Sequence, residues 1–206
     1  MELRALAEAI VFGKTLEEKL LRPTRFRDER PGAALERVPS LPARSVSLRP
    51  SEGRSDPPPL SDLEDPSARA RVLHSFANHE LQALELQALA LLRFPDAPPA
   101  FREEIGHVLV EEQGHLRLYL ARCRALGWEL GDADLSRYLW DSLAPMGHPL
   151  DYVTGMALTF EQANLDFARD YEARFRAVGD EESAAILARV YEEEIGHVRL
   201  GVQWLG

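Results

Sequence analysis

Three of the six histidines in this sequence stand three residues after a glutamate: Glu104 with His107, Glu112 with His115, and Glu194 with His197. With 22 glutamates in 206 residues, chance places about 0.6 such pairs among six histidines. On a helix, positions i and i+3 project from one face, so a carboxylate oxygen and an imidazole nitrogen can reach one metal ion. Bundles that hold two metals use this unit on two helices and add one glutamate from each of the other two. Glu80 and Glu161 qualify for that second part because each interrupts an apolar stripe.

The neighbours on the same helical face test whether each acid points inward. They are Ile105, Val108, Leu109, Leu116 and Tyr119 around Glu112, and Leu187, Val190, Tyr191, Val198 and Gly201 around Glu194. Glu161 stands among Ala157, Leu158, Leu165 and Ala168, and Glu80 among Leu73, Phe76, Ala77 and Leu84. Four carboxylates in one core demand shared protons, a hydrogen-bonded network or bound cations. The candidate ligands and reacting residues are therefore Glu80, Glu112, His115, Glu161, Glu194 and His197. Glu112, His115, Glu194 and His197 are expected as terminal ligands, and Glu80 and Glu161 as bridges or caps. Glu85 also has apolar neighbours but falls nearer the loop, where it is expected to form a polar layer with His107. Glu104 and His107 read as a solvated pair near a helix start. His79 reads as support behind the ligands, His74 as structural, and Asn164 as a hydrogen-bonding partner of a ligand. Tyr119 and Tyr191 read as core, placed to supply a proton or an electron if iron lies beside them.

These residues need four long helices. The periodicity predicts them over Ser67 to Arg93, Ala100 to Leu126, Pro149 to Val178, and from the Asp180 cap to Trp204, with a short helical piece over Leu135 to Leu143. Two tight loops and one crossover of about twenty residues describe two antiparallel hairpins joined by a long link. Counting from each turn puts the four acids within about one helical turn of a common level. Residues 1–21 precede this bundle (67–206) as a helix over 2–20. Residues 22–66 hold nine of the fourteen prolines and read as an extended arm, lying across the bundle or loose.

The net charge is −10; residues 1–72 carry 13 basic and 12 acidic side chains, and residues 73–206 carry 11 and 22. The bundle is thus strongly acidic, which disfavours nucleic acid as a partner. The single cysteine, Cys123, excludes an internal disulfide and a rubredoxin-type iron within one chain, and fits a reducing cytoplasm. No apolar run is long enough for a membrane span, and no secretory signal is visible.

The segments FANHELQALEL (76–86), LLRFPDAPPAF (91–101), EEQGHLRLYL (111–120), LTFEQANLDFARDYE (158–172) and YEEEIGHVRLGVQWL (191–205) resemble a bacterial ferritin-like family, domain of unknown function 455. The resemblance covers most of the chain, including the amino-terminal helix and the arm. It implies an all-α, ferritin-like four-helix bundle, kinship with non-haem di-iron oxygenases such as tRNA hydroxylase, and a di-iron site on the six residues above. One departure is Gly114, where relatives often carry arginine, so a neighbouring ion pair is expected to be missing. The cofactor expected is two iron ions, with manganese or a manganese–iron pair as alternatives. The activity expected is an oxidase or monooxygenase using dioxygen, a small organic substrate and an electron-donor protein. Ferroxidation without an organic substrate and a metal-stabilised scaffold are the competing readings, and assembly into an oligomer is left open.

Overall fold

The computed structural model describes residues 1–51 and 56–205. Among them every regular element is helical apart from one isolated bridge between Glu2 and Arg27. The α-helices are α1 (Leu3–Phe12), α2 (Leu16–Lys19), α3 (Pro66–Arg93), α4 (Pro99–Ala125), α5 (Tyr138–Leu143), α6 (Pro149–Gly155), α7 (Gln162–Ala177) and α8 (Glu181–Leu205), with short 3₁₀ turns at Val46–Leu48 and Leu60–Glu64. A six-residue π segment, Met156–Glu161, joins α6 to α7, so the chain is continuously helical from 149 to 177. No helix among the described residues is long and apolar enough to cross a membrane.

Local chemistry sets the boundaries. Pro66 opens α3 behind Asp65, whose Oδ1 accepts from Ser67 N at 2.9 Å. Gly127, at φ +78°, ends α4, and Trp128 N donates back to Cys123 O at 2.9 Å. Asp180 Oδ1 accepts from Ser183 N at 3.1 Å and starts α8. The single helix expected over 2–20 is instead two. Gly13 leaves helical space at ψ 141°, and Thr15 restarts the coil in a capping box with Glu18. Reciprocal capping at Thr15 thus overrides an apolar period that runs through the break.

Helix α3 packs along α4 and α7 along α8, each pair antiparallel; α4 meets α8, and α1 lies against α3. Covered by α4 on one side and by α1 and the arm on another, α3 is buried nearly all round. The described part of the arm lies across the bundle, and other elements satisfy its backbone. Leu35 N donates to Leu92 O at 2.8 Å, Ala43 N to Val11 O at 2.9 Å, and Pro58 O accepts from Tyr171 at 2.6 Å.

The arm also corrects the expectation for Glu85. Its carboxylate is held by the Arg44 guanidinium, at 3.0 and 2.6 Å, and by Lys19 Nζ at 3.0 Å, all three side chains being buried. His107 is not part of this layer; it is exposed and packs edge-on against Phe26, with ring centroids 4.9 Å apart. The basic partners come from segments whose path over α3 has no local signature in the sequence.

Candidate metal centre

Glu80 sits in α3, Glu112 and His115 in α4, Glu194 and His197 in α8, and Glu161 closes the π segment. All six are buried, with exposure of 5% or less. Two features bring the α7 side close enough. The π coil reorients the helix at the position of Glu161, a departure often found at functional sites. At Gly201 an added Cβ would lie 2.2 Å from Ala157 Cβ, so only glycine lets α8 approach the π segment this closely.

One ligating atom from each of Glu80, Glu112, His115 and Glu194 lies within 4.8 Å of the other three. His115 Nδ1 stands 3.1 Å from Glu194 Oε1, 3.4 Å from Glu112 Oε2 and 3.6 Å from Glu80 Oε2. His197 Nδ1 stands 2.7 Å from Glu194 Oε2 and 3.3 Å from Glu112 Oε1. Glu112 and Glu194 therefore each point one oxygen at each histidine. Glu161 lies outside the tight group of four, and its Oε2 is 3.7 Å from His79 Nε2.

The two histidines are oriented by a crossed pair of acids that spacing did not suggest. His115 Nε2 meets Glu193 Oε2 at 2.9 Å, and His197 Nε2 meets Glu111 Oε2 at 2.8 Å. Each ring thus turns Nδ1 to the cluster and Nε2 to the glutamate that precedes the inward acid on the other helix. A carboxylate on Nε2–H fixes the tautomer and raises the basicity of Nδ1. The signal was present in the sequence: Glu111–His115 and Glu193–His197 both read Glu-Glu-x-Gly-His. Glu111 and Glu193 lie toward the surface of their own helices, so reading inward faces alone passes over them.

Both carboxylate oxygens of Glu80, Glu112, Glu161 and Glu194, and Nδ1 of both histidines, are buried without a hydrogen-bond partner among the described residues. The nearby atoms are close but not aligned for hydrogen bonding. Burial, with the Glu112 charge beside it, pushes the Glu80 carboxyl far above the ordinary range, and burial with the Glu194 charge pushes Glu161 up to about 8. Glu112 and Glu194 are also buried, yet the two imidazoles beside them hold both carboxyls below the ordinary range. Burial alone would lower His115 and His197, and the surrounding carboxylates instead raise both well above the ordinary value. Without a cation the cluster must therefore share protons between crowded acids and bases. The unpartnered lone pairs are what a cation would satisfy.

The other candidates fall elsewhere. Glu104 Oε2 accepts from Trp204 Nε1 at 2.5 Å, far along α4 from the cluster. His74 is buried, with Nε2 accepting from Gly131 N at 3.1 Å. Tyr191 is half-buried. Tyr119 is fully buried with no partner for its hydroxyl among the described residues; burial and the charges of Glu80, Glu194 and Glu112 keep its proton on. At Gly114 an added Cβ would meet nothing within 4 Å, so a longer side chain has room there. Asn164 and His79 line a cavity of about 640 Å³ that opens between α3, the π segment and residues 136–139. His79, in contact with Glu161, joins that cavity to the cluster.

The family described as Protein of unknown function (DUF455) matches residues 5–206. The chain belongs to this family. An uncharacterized protein of Haemophilus influenzae is similar to this DUF455 protein, with 28% identity over 66% of this chain and 50% of the relative. The chain thus spans about half the length of the curated relative it matches. No solved structure matches it.

Proposed function

We propose that this DUF455 protein holds two transition-metal ions and oxidises a small organic molecule with dioxygen. Iron is the first choice, with manganese or a manganese–iron pair the alternative. The carrying observation is the set of eight carboxylate oxygens and two Nδ1 atoms buried together without hydrogen-bond partners among the described residues. Buried carboxylates without hydrogen bonds each cost several kcal/mol. Four of them beside two imidazoles are what bound cations would stabilise.

Glu112 and Glu194 each reach both histidines, Glu80 lies beside His115 and Glu161 beside His79. These six side chains would hold the metals. Glu111 and Glu193 would hold the imidazoles in place. The chemistry that a bound iron pair supplies is the reduction of dioxygen. Tyr119 is buried in the field of three of these glutamates, which keeps its proton on, and an electron-donor protein would restore the reduced state. The ferritin-like kinship rests on the same constellation of four helices.

The cavity favours oxidation of an organic molecule over ferroxidation. Its walls are aromatic rings, amides and hydroxyls, with Asp56 as their one carboxylate among the described residues, whereas an iron-entry funnel needs several acids. Elemental analysis of protein made with iron and manganese, followed by anaerobic loading with ferrous ion and exposure to oxygen, tests the proposal. About two metals per chain and oxygen uptake beyond that needed to oxidise the bound iron, once a reductant is present, are expected. A well-folded chain with negligible metal would remove the proposal, and oxygen uptake that stops when the iron is oxidised would favour ferroxidation.

A further inference from the structure

Glu161 and His197 border a second space, which shares no lining residue with the cavity of about 640 Å³. It is a void of about 20 Å³ between α3, α4, α8 and the helical stretch that runs from α6 into the π segment. Ile105, Val108, Val153, Met156, Ala157 and Leu200 supply its apolar wall. All of these are buried except Leu200, which is half-buried and marks the way out to solvent. Close packing leaves few voids larger than a water molecule in a domain, and this one lies against two of the six cluster residues. One water-sized molecule needs about 10–15 Å³, so the void takes a guest of two or three atoms.

The wall offers little to a polar guest. Tyr152 and Gln87 also line the void, and the Tyr152 hydroxyl donates to Gln87 Oε1 at 3.1 Å, so these two groups satisfy each other. Both oxygens of Glu161 and Nδ1 of His197 are covered by protein, and His197 Nε2 is held by Glu111 Oε2 at 2.8 Å. Glu161 and His197 therefore turn mainly carbon toward the void and keep their ligating atoms on the cluster side. A buried water is held by about 2–4 hydrogen bonds, whereas apolar voids stay dry and take guests such as xenon.

From these observations we infer that the void is a binding site for dioxygen, reached past Leu200. Dioxygen is apolar, has two atoms and needs no hydrogen bond, so it fits both the volume and the wall. The two spaces then serve different molecules. Gas arrives against Glu161 and His197 from the α8 side, while an organic molecule in the larger cavity meets Glu161 across His79. That the gas reacts rests on the metal reading above; that the void holds a small apolar molecule does not.

The test uses the full, metal-free chain with labelled methyl groups, followed by NMR under rising xenon pressure. Saturable shifts are expected at Ile105, Val108, Val153 and Leu200, at least fivefold larger than at Leu6 and Ile10, which are buried in the core but do not line the void. Val108→Phe fills the void from α4, and Leu200→Phe closes it from its half-buried end. Each should abolish the saturable shifts at the remaining methyls. A melting temperature within a few degrees of the parent's is the check on folding, and Leu200→Phe alone decides if Val108→Phe does not fold. In protein loaded anaerobically with ferrous ion and mixed rapidly with dissolved dioxygen, Leu200→Phe should slow oxidation of the iron at least fivefold at equal metal content. Absence of saturable xenon shifts, their persistence in both variants, or an ordered water found in the void in place of xenon would overturn the inference and leave the metal reading standing. Failure to retain iron, with xenon binding intact, would sink the metal reading alone. Equal oxidation rates in iron-loaded Leu200→Phe and parent protein would remove the dioxygen role.

Discussion

The hexapeptide Glu-Glu-Ile-Gly-His-Val occurs twice, at 103–108 in α4 and at 193–198 in α8, and the two copies do opposite things. In α8 the buried members are Glu194 and His197, both in the candidate metal cluster. In α4 the buried members are Ile105, Gly106 and Val108, while His107 is exposed. The reason is packing. The α4 copy lies under the amino-terminal segment, and an added Cβ at Gly106 would sit 3.0 Å from the Phe26 ring and 3.1 Å from Leu3 Cδ1. That contact turns the apolar side of the copy inward. Two turns further along the same helix, Glu111–His115 shows the arrangement of the α8 copy, with Glu112 and His115 buried. The same six residues thus meet two different surroundings, and the neighbouring helices decide which face is buried.

The sharpest way to break this contrast is to remove the acid from each copy. Glu194→Ala should abolish binding of at least one metal, whereas Glu104→Ala should leave metal content unchanged; elemental analysis of the two purified variants decides. A second large effect extends the contrast to α3, where two buried glutamates differ in partners. Glu85→Ala strands Lys19 and Arg44 inside the protein and should cost about 3–5 kcal/mol in denaturant unfolding, while the folded fraction keeps its metal. Of intermediate size, Glu193→Gln should weaken metal binding about 10–100-fold by loosening His115, measured by competition with a chelator. The smallest effect is at His107, where replacement by alanine should change stability by no more than about 0.5 kcal/mol, read from a thermal melt. A loss of metal at His107→Ala equal to that at His197→Ala would erase the distinction between the copies.

The α8 copy and its neighbours also show what the sequence makes legible. The four long helices follow from period and punctuation: Pro66, Gly127, Pro149 and Asp180 mark ends that the structure places within a residue or two. The approach of Glu80, Glu112, His115 and Glu194 follows from acids set in apolar stripes at matching distances from the turns. Three features were not legible, each for a physical reason. The π segment has no signature in its own residues; it lies where α8 approaches most closely, at Gly201 on a distant helix. The Lys19 and Arg44 partners of Glu85 reach it along a chain path without periodicity. The crossed Glu111 and Glu193 pairs belong to one helix by sequence and to another by contact, so only the assembled bundle reveals them.

The central claim is that the cluster beside Glu112 and Glu194 is a ligand set and not a network of shared protons. Diffraction from iron-soaked crystals, with anomalous maps recorded at the iron edge, tests it most directly. The account predicts two peaks roughly 3.5–4 Å apart, lying between these two glutamates, with His115 and His197 each bound through Nδ1. Maps without a peak there, in protein that has kept its fold, would contradict it.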